Sequence, residues 1–524
     1  MKTIDLWQSV CDLDELLPDC GVAALVGDRQ IALFRVGASV YAIDNFDPNS
    51  RANVLSRGIV GDVAGEPVVA SPLYKHHFSL ITGRCLEDMQ QSVRAWPVRI
   101  HGNRIWIRSE PRALARQRKL VVIGNGMAGM KVVEELVERA PGTYSITVLG
   151  AEPCGNYNRV LLSPLLAGEK QFEDIVLHSL DWYVEKGVQL HVGDPVATID
   201  RVHRIVRTAG GRELAYDRLL ITTGSKPVVL PVPGNHLQGV VTFRDLQDVN
   251  SMLAMAKKHR HAVVIGGGLL GLEAANGLSR QGMDVTVVHL GASLMERQLD
   301  RSAAQLLQES LERRGLKFRL AATTAALIAD DAGDKARVSA VRLDDGTQLS
   351  ADLVVMAVGI RPNIDLARAA GLRCERGVLV DDTLQTFDPS IYAVGECVQH
   401  RDSTYGLVAP LFAQASVCAA HLAESGRGRY CGSIPATQLK VTGIDLFSAG
   451  DFLGGPLSEA LVMRDPKRGV YKRLVIENNK VRGAVLYGDV RDGSWYVDLI
   501  TQQRDISTVR HKLLFGAAAA GAGT

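Results

Sequence analysis

Through residue 108 the chain is written in short apolar runs that alternate with polar positions and break at turn residues. They read "GVAALVG", "QIALFRVG", "SVYAID", "EPVVAS", "HHFSLITG" and "VRAWPVRIHGNRIWIR". Period-two alternation in runs of this kind predicts strands with one buried face. No long helical period follows the first twenty residues, so residues 1–108 are expected to form a small all-β domain. A polar, Arg-rich stretch, "SEPRALARQRK", then has the composition of a solvated connector. From Lys119 the pattern changes to an apolar strand, a glycine turn and a helix. "KLVVIGNGMAGMKVVEELVE" shows it first, and "HAVVIGGGLLGLEAANGLSR" repeats it about 142 positions later. A compact α+β region follows from about 431, with the hairpin-like "RLVIENNKVRGAVLYGD". The end, "GAAAAGAGT", is low in complexity and reads as a disordered tail.

Length and composition narrow the function classes. A chain of 524 residues is expected to hold about three or four domains. Its 46% hydrophobic and 22% charged content is that of a globular protein, and a net charge of +2 argues against a bulk nucleic-acid binder. The eight cysteines (11, 20, 85, 154, 374, 397, 418 and 431) form no C-x-x-C pair and show no metal-ligand spacing. Scattered single thiols suit a reducing compartment. The N-terminus carries acids where a signal peptide needs a basic start, and no stretch approaches the length of a membrane span. "GLVAPLFAQASVCAAHLA" comes closest, but Gln414 and His421 make it a buried helix. A cytoplasmic protein is expected.

The glycine turns carry the chemistry. Gly124-x-Gly126-x-x-Gly129 follows a strand and opens a helix, the pattern that brings backbone and helix N-terminus to a pyrophosphate. A second strand, "ITVLGAE", ends at Glu152, near the offset expected for a carboxylate on a ribose. The second turn is Gly266-x-Gly268-x-x-Gly271, followed by Glu273 and the strand "MDVTVVHL". His289 stands where a ribose-binding acid would end that strand, which leaves NADPH possible, with Arg297 a candidate cation for a 2′-phosphate. A histidine at a strand end is equally an ordinary surface residue.

Two dinucleotide folds in one chain resemble the glutathione-reductase-like flavoproteins, which implies FAD with NAD(P)H. "LLITTGSKP" (Thr222, Thr223, Gly224) resembles the linker between their two dinucleotide domains, and "VVMAVGIRPN" (Gly359 to Asn363) the return. "IYAVGECV" supplies Gly395 and Glu396, resembling the second flavin motif, and "PLFAQA" places Gln414 on the helix beneath the flavin. No cysteine pair sits in the first helix of the flavin domain, and Cys154 follows the ribose acid too closely for thiol catalysis at the flavin ring. "YNRVLLSP" resembles a segment of ferredoxin and rubredoxin reductases. It keeps Tyr157, Arg159, Leu162 and Ser163 but has Pro164 where they carry a lysine. The resemblance implies that Arg159, Glu273 and Gln414 lie beside the flavin.

"AEPCGNYNRVLLSPLLAGE", "GGGLLGLEAANGL" and "VTVVHLGASLMERQLD" narrow the resemblance to the flavin half of the large subunit of NAD(P)H-dependent nitrite reductases. Residues 1–108 resemble the small subunit of the same system, a Rieske-like domain without cluster ligands. Asp47 and Asn49 stand in the first ligand box, Ser71 and Tyr74 in the second, so no metal is expected. His76 and His77 are adjacent and point to opposite faces of a strand, so they cannot jointly replace the ligands. The fold expected is multidomain. A Rieske-like all-β domain (1–108) is followed by a linker (109–117), an FAD-binding domain (118–240 and 363–428) and an NAD(P)-binding domain (241–362). A C-terminal interface domain (429–516) and a disordered tail (517–524) complete it. With no sirohaem or iron–sulfur segment, the chain is not expected to reduce nitrite itself. The resemblance implies an electron-input flavoprotein for a separate assimilatory nitrite reductase catalytic subunit, with no side-chain nucleophile and no membrane partner. Open alternatives are a nitrate reductase subunit, a ferredoxin or rubredoxin as acceptor, and a nucleotide-binding assembly or regulatory protein. A homodimer is compatible with all of them.

Overall fold

The computed structural model describes residues 7–88, 91–108, 117–330, 336–424, 428–439, 441 and 443–521. It divides into two compact units, Met1–Arg116 and Gln117–Thr524. The connector at 109–116 lies outside the described residues.

Among the described residues the first unit holds three antiparallel sheets of three strands each and a two-stranded one, Phe46–Asp47 with Ala52–Asn53. Gly21–Val26, Arg29–Val36 and Ser39–Asp44 form one, and Ile59–Val63, Glu66–Ala70 and His77–Ser79 another. In the third, Arg104–Arg108 lies between Val98–His101 and Trp7–Asp12. The period-two rule works twice in Arg29–Val36. Ala32 and Phe34 enter one core cluster while Ile31 and Leu33 enter the other, so this strand is buried on both faces. Trp7–Asp12 is a strand that its own alternation does not announce; it is held by pairing with Arg104–Arg108, with a register shift between Ser9 and Cys11.

The second unit contains the same parallel sheet twice. In the first sheet, Arg118–Ile123 is central, with Tyr144–Leu149 and then Val188–His191 on one side and Arg218–Ile221 and then Ile391–Ala393 on the other. In the second, His261–Ile265 is central, with Asp284–Val288 and Lys317–Arg319 on one side and Leu353–Met356 and Val240–Thr242 on the other. In each half a three-stranded antiparallel meander follows the edge strand: 196–200, 205–208 and 213–215 after Val188–His191 in the first, 324–329, 338–343 and 348–350 after Lys317–Arg319 in the second. The chain crosses between the halves twice, and the crossings Ser225–Pro227 and Ile360–Pro362 pair as antiparallel strands.

The helix expected from "GLVAPLFAQASVCAAHLA" is Val408–Leu422, buried along Leu411, Ala415, Cys418, Ala419 and Leu422. Helix Leu162–Leu166 belongs by sequence to the first half, yet Leu162, Leu165 and Leu166 pack into the core of the second. The C-terminal region is a five-stranded antiparallel sheet whose central hairpin, Val470–Glu477 with Lys480–Tyr487, turns on Asn478 and Asn479. Their φ values of 53° and 56° suit the tight two-residue hairpin turn that asparagine tolerates. This region docks on the second half, where the Tyr471 hydroxyl donates to Asp300 at 2.8 Å in a buried contact. Residues expected as a disordered tail are described through Gly521 as a turn, with the Ala517 N–H donating to Asp492 at 3.0 Å. Among the described residues no helix is long and apolar enough to cross a membrane.

Candidate functional site

The first glycine turn begins where the central strand ends. Gly124 has φ of +113°, and a Cβ there would lie 2.3 Å from the Thr222 carbonyl oxygen. A Cβ on Gly129 would lie 2.5 Å from the Thr222 hydroxyl, which donates to the carbonyls of Ile123 and Gly124 at 2.9 and 3.0 Å. Thr222 therefore demands both outer glycines. Gly126 is different: its φ is −85° and a Cβ would meet nothing within 4 Å. It opens helix Met127–Arg139 without a side-chain cap, so the first N–H groups of the helix face that open space. The fold itself does not need glycine at 126; a ligand approaching the backbone does. Asn125 adds a buried Nδ2 without a hydrogen-bond partner, while its Oδ1 accepts from the Tyr183 hydroxyl at 2.8 Å.

Glu152 follows strand Tyr144–Leu149 and is half-buried. It accepts from the Tyr157 hydroxyl at 2.7 Å and is ion-paired with Arg159. Burial pushes the Tyr157 phenol far up, so it stays a donor to the carboxylate. Arg159, expected beside the flavin, is held by Glu152, the carboxylate expected on a ribose. Its guanidinium also donates to the Arg244 carbonyl at 3.2 Å.

Arg244 has no counterpart among the residues singled out from sequence. It pairs with Glu396, which also accepts from the Ser225 hydroxyl at 2.8 Å. Gln414 is fully buried: its Oε1 accepts from the Gly395 N–H at 3.0 Å, and its Nε2 has no hydrogen-bond partner. Thr223 and Gly224 secure the crossing between the halves, with the Thr223 hydroxyl donating to the Asn363 carbonyl at 2.7 Å and the Gly224 carbonyl accepting from the Asn363 N–H at 2.9 Å. The structure thus gathers Asn125, Glu152, Arg159, Arg244, Glu396 and Gln414 around one glycine turn. Orphaned amide donors, an open cradle and uncapped helical N–H groups suit a dinucleotide's pyrophosphate and polar ring edges.

The second turn repeats the logic. Gly266 has φ of +121°, and a Cβ would lie 2.3 Å from the Ala357 carbonyl oxygen; one on Gly271 would lie 1.9 Å from the Gly266 carbonyl oxygen. Gly268, with φ of −85°, again meets nothing within 4 Å. His289, near-buried at the end of strand Asp284–Val288, accepts at Nδ1 from the Gly267 N–H at 3.1 Å. Its Nε2 lies 2.7 Å from the Glu296 carboxylate. The histidine is a brace between turn and loop. Arg297 is exposed, and Gly359, at φ of +119°, faces open space. Glu273 is buried on helix Leu269–Arg280 and accepts from the Ser163 hydroxyl, joining the two halves.

Cys154 is partly buried, and burial followed by the charge of Glu152 pushes its thiol up, away from thiolate. In the first unit, the Ser71 hydroxyl donates to Asp47 at 2.6 Å, and both side chains are fully buried. Tyr74 is exposed, and the Asn49 N–H donates to the other oxygen of Asp47 at 2.9 Å. Two of the four box positions are consumed by each other and none offers a thiolate or imidazole, so these residues do not fit an iron–sulfur cluster. Among the described residues no group of three or more His, Cys, Asp or Glu side chains could hold a metal ion.

Comparison with known proteins matches residues 118–420 to the pyridine nucleotide-disulphide oxidoreductase family. Residues 6–108 match a Rieske-like [2Fe-2S] domain, and 435–504 the rubredoxin NAD+ reductase C-terminal domain. The chain is 47% identical over 391 residues to a nitrite reductase [NAD(P)H] of Bacillus subtilis, covering 75% of this chain and 48% of that one. It is 42% identical over 399 residues to an assimilatory nitrate reductase electron transfer subunit of the same organism, covering 76% and 51%. The chain thus spans about half the length of these curated relatives. Among solved structures, a ferredoxin reductase from Rhodopseudomonas palustris superposes with a TM-score of 0.68 at 25% identity, covering 74% of this chain and 96% of that one.

Proposed function

The chain belongs to the pyridine nucleotide-disulphide oxidoreductase family, and from that premise we propose that it carries electrons from NAD(P)H to the catalytic subunit of an assimilatory nitrite reductase. It is an NAD(P)H-dependent flavoprotein oxidoreductase with an N-terminal Rieske-like domain. The reading of its partner rests on the 47%-identical relative. The observation that carries the chemistry is the pair of cradles in one unit, each with a middle glycine that its own fold does not require. Bound FAD supplies the capacity to take a hydride from a nicotinamide and to release electrons onward.

The chain's own residues bind and orient. In this reading Gly124, Gly126 and Gly129 bring helical N–H groups to the FAD pyrophosphate, and Glu152, fixed by Tyr157 and Arg159, accepts from its ribose. Gly395, Glu396 and Gln414 would help hold the same dinucleotide, with Arg244 fixing Glu396 and Thr223 and Gly224 setting the crossing. Gly266, Gly268 and Gly271 receive the nicotinamide dinucleotide, Gly359 leaves it room, and Glu273 sits at the junction of the halves. No side-chain nucleophile is needed. We place the protein in the cytoplasm, where its eight free cysteines stay reduced.

The test is direct. Purified full chain is expected to be yellow, to release FAD on denaturation, and to bleach when NADH or NADPH is added without oxygen. Reoxidation by a nitrite reductase catalytic subunit, and not by nitrate reductase, ferredoxin or rubredoxin, would support the nitrite assignment. The 42%-identical relative makes nitrate reductase the second acceptor to try. A protein that is colourless, or yellow but never bleached, would sink the electron-transfer reading and leave an assembly or regulatory role.

A further inference from the structure

The strand end of the second glycine unit lacks the acid that accepts from an unphosphorylated ribose, yet a carboxylate reaches that place from another part of the chain. After Val288 the loop 290–298 folds back over the turn: the Met295 N–H donates to the Gly267 carbonyl at 3.0 Å, and a Cβ on Gly267 would lie 2.8 Å from Leu294. This return brings Glu296 to the His289 ring at 2.7 Å, while the other ring nitrogen accepts from the Gly267 N–H. The brace assigns the tautomer: Nδ1 accepts, so Nε2 carries the proton that Glu296 accepts. A Cβ on Gly291 would stand 3.2 Å from the Glu296 carboxyl, so the loop closes tightly around the pair. The Glu296 side chain remains about half exposed (48%), which leaves one carboxylate edge for a ligand.

We propose that Glu296, held against the second glycine turn by His289, is the residue that selects an unphosphorylated adenosine ribose, so that the nicotinamide site prefers NADH over NADPH. The inference rests on the second turn being the nicotinamide site. A carboxylate beside the turn accepts from the 2′-hydroxyl and repels a 2′-phosphate. The Glu296 carboxyl sits below its usual range: burial pushes it up, but backbone hydrogen bonding and His289 outweigh that, so it is charged at neutral pH. Arg297, the cation at hand, is exposed on the same loop, next to a carboxylate that would oppose the phosphate.

The test measures binding, separately from turnover. Full-length yellow protein is titrated with ADP-ribose and with 2′-phospho-ADP-ribose. The unaltered chain is expected to bind ADP-ribose more tightly by roughly tenfold to a hundredfold, the worth of one hydrogen bond to a charged group. Glu296→Gln keeps an acceptor for His289 and removes the charge, so the preference should shrink by about tenfold or more with flavin content unchanged. Arg297→Ala should leave the ratio within about twofold, as expected of an exposed surface residue. A wild-type preference for the phosphorylated ligand, or an unchanged ratio in Glu296→Gln, overturns the assignment of Glu296. Loss of binding to both ligands in the unaltered yellow protein overturns instead the placing of the nicotinamide site at this turn.

Discussion

The two glycine units of the second domain are built on one plan as far as the ends of their second strands. Both put glycine where the chain's own atoms crowd it, at Gly124 and Gly129 against Thr222, and at Gly266 and Gly271 against Ala357 and Gly266. Both leave the middle glycine facing open space. They part at the end of the second strand. The first unit carries Glu152, pinned by Tyr157 and Arg159; the second carries His289, which reaches a carboxylate only through Glu296. Glu152 and Glu296 both lie in loops past their strands, and only the folded chain shows what holds each carboxylate.

The most damaging change to that comparison is at the first cradle. Gly126→Asp should yield colourless protein, with bound FAD below about a tenth of normal, because a carboxylate would stand where the pyrophosphate approaches. Absorbance of the purified protein measures it. Gly268→Asp should stay yellow, yet its anaerobic reduction by NADH should slow by about a hundredfold or more, as expected from losing several kcal/mol of binding. If the two variants exchange phenotypes, the two sites are assigned in reverse.

A smaller effect separates the roles of neighbouring glycines. Gly124→Ala should destabilise the flavin-free protein by about 1–3 kcal/mol, since it forces a side chain to positive φ against the Thr222 carbonyl. Gly126→Ala should change that stability by less than about 0.5 kcal/mol. Thermal melts of the two apo-variants read the difference. Glu152→Gln should weaken FAD retention by about tenfold, the lower end for a charged hydrogen bond, followed by flavin release on dilution. The smallest effect expected is at Cys154, where Ser should leave the rate of flavin reduction within about twofold, as for a side chain outside the chemistry. A tenfold loss there would restore thiol chemistry to consideration.

Much of this was legible because the signals are local. A glycine turn lies within six residues of sequence, and strand alternation within eight, so both units, the domain order and the "ENNK" hairpin could be read directly. What depends on distant pairing could not. Arg244 meets Glu396 across 152 positions, and nothing near "TFRDL" announces it. Family likeness put Arg159 beside the flavin but gave no sign of the carboxylate and the carbonyl its guanidinium reaches. The sequence after strand Asp284–Val288 offers His289 but not its partner Glu296, since a loop that folds back has no periodicity to betray it. Helix Leu162–Leu166 illustrates the same limit: its apolar residues look alike whichever of two cores they enter.

The buried Ser71–Asp47 hydrogen bond has a consequence for how this protein comes to be made. A fold of this type closed by a cluster must wait for iron and sulfide to be delivered, and is lost to oxygen or to a chelator. Here the same two loops are fastened by a hydroxyl and a carboxylate that the ribosome supplies already attached. That fastening forms from the chain alone, and its making asks nothing of iron or sulfide.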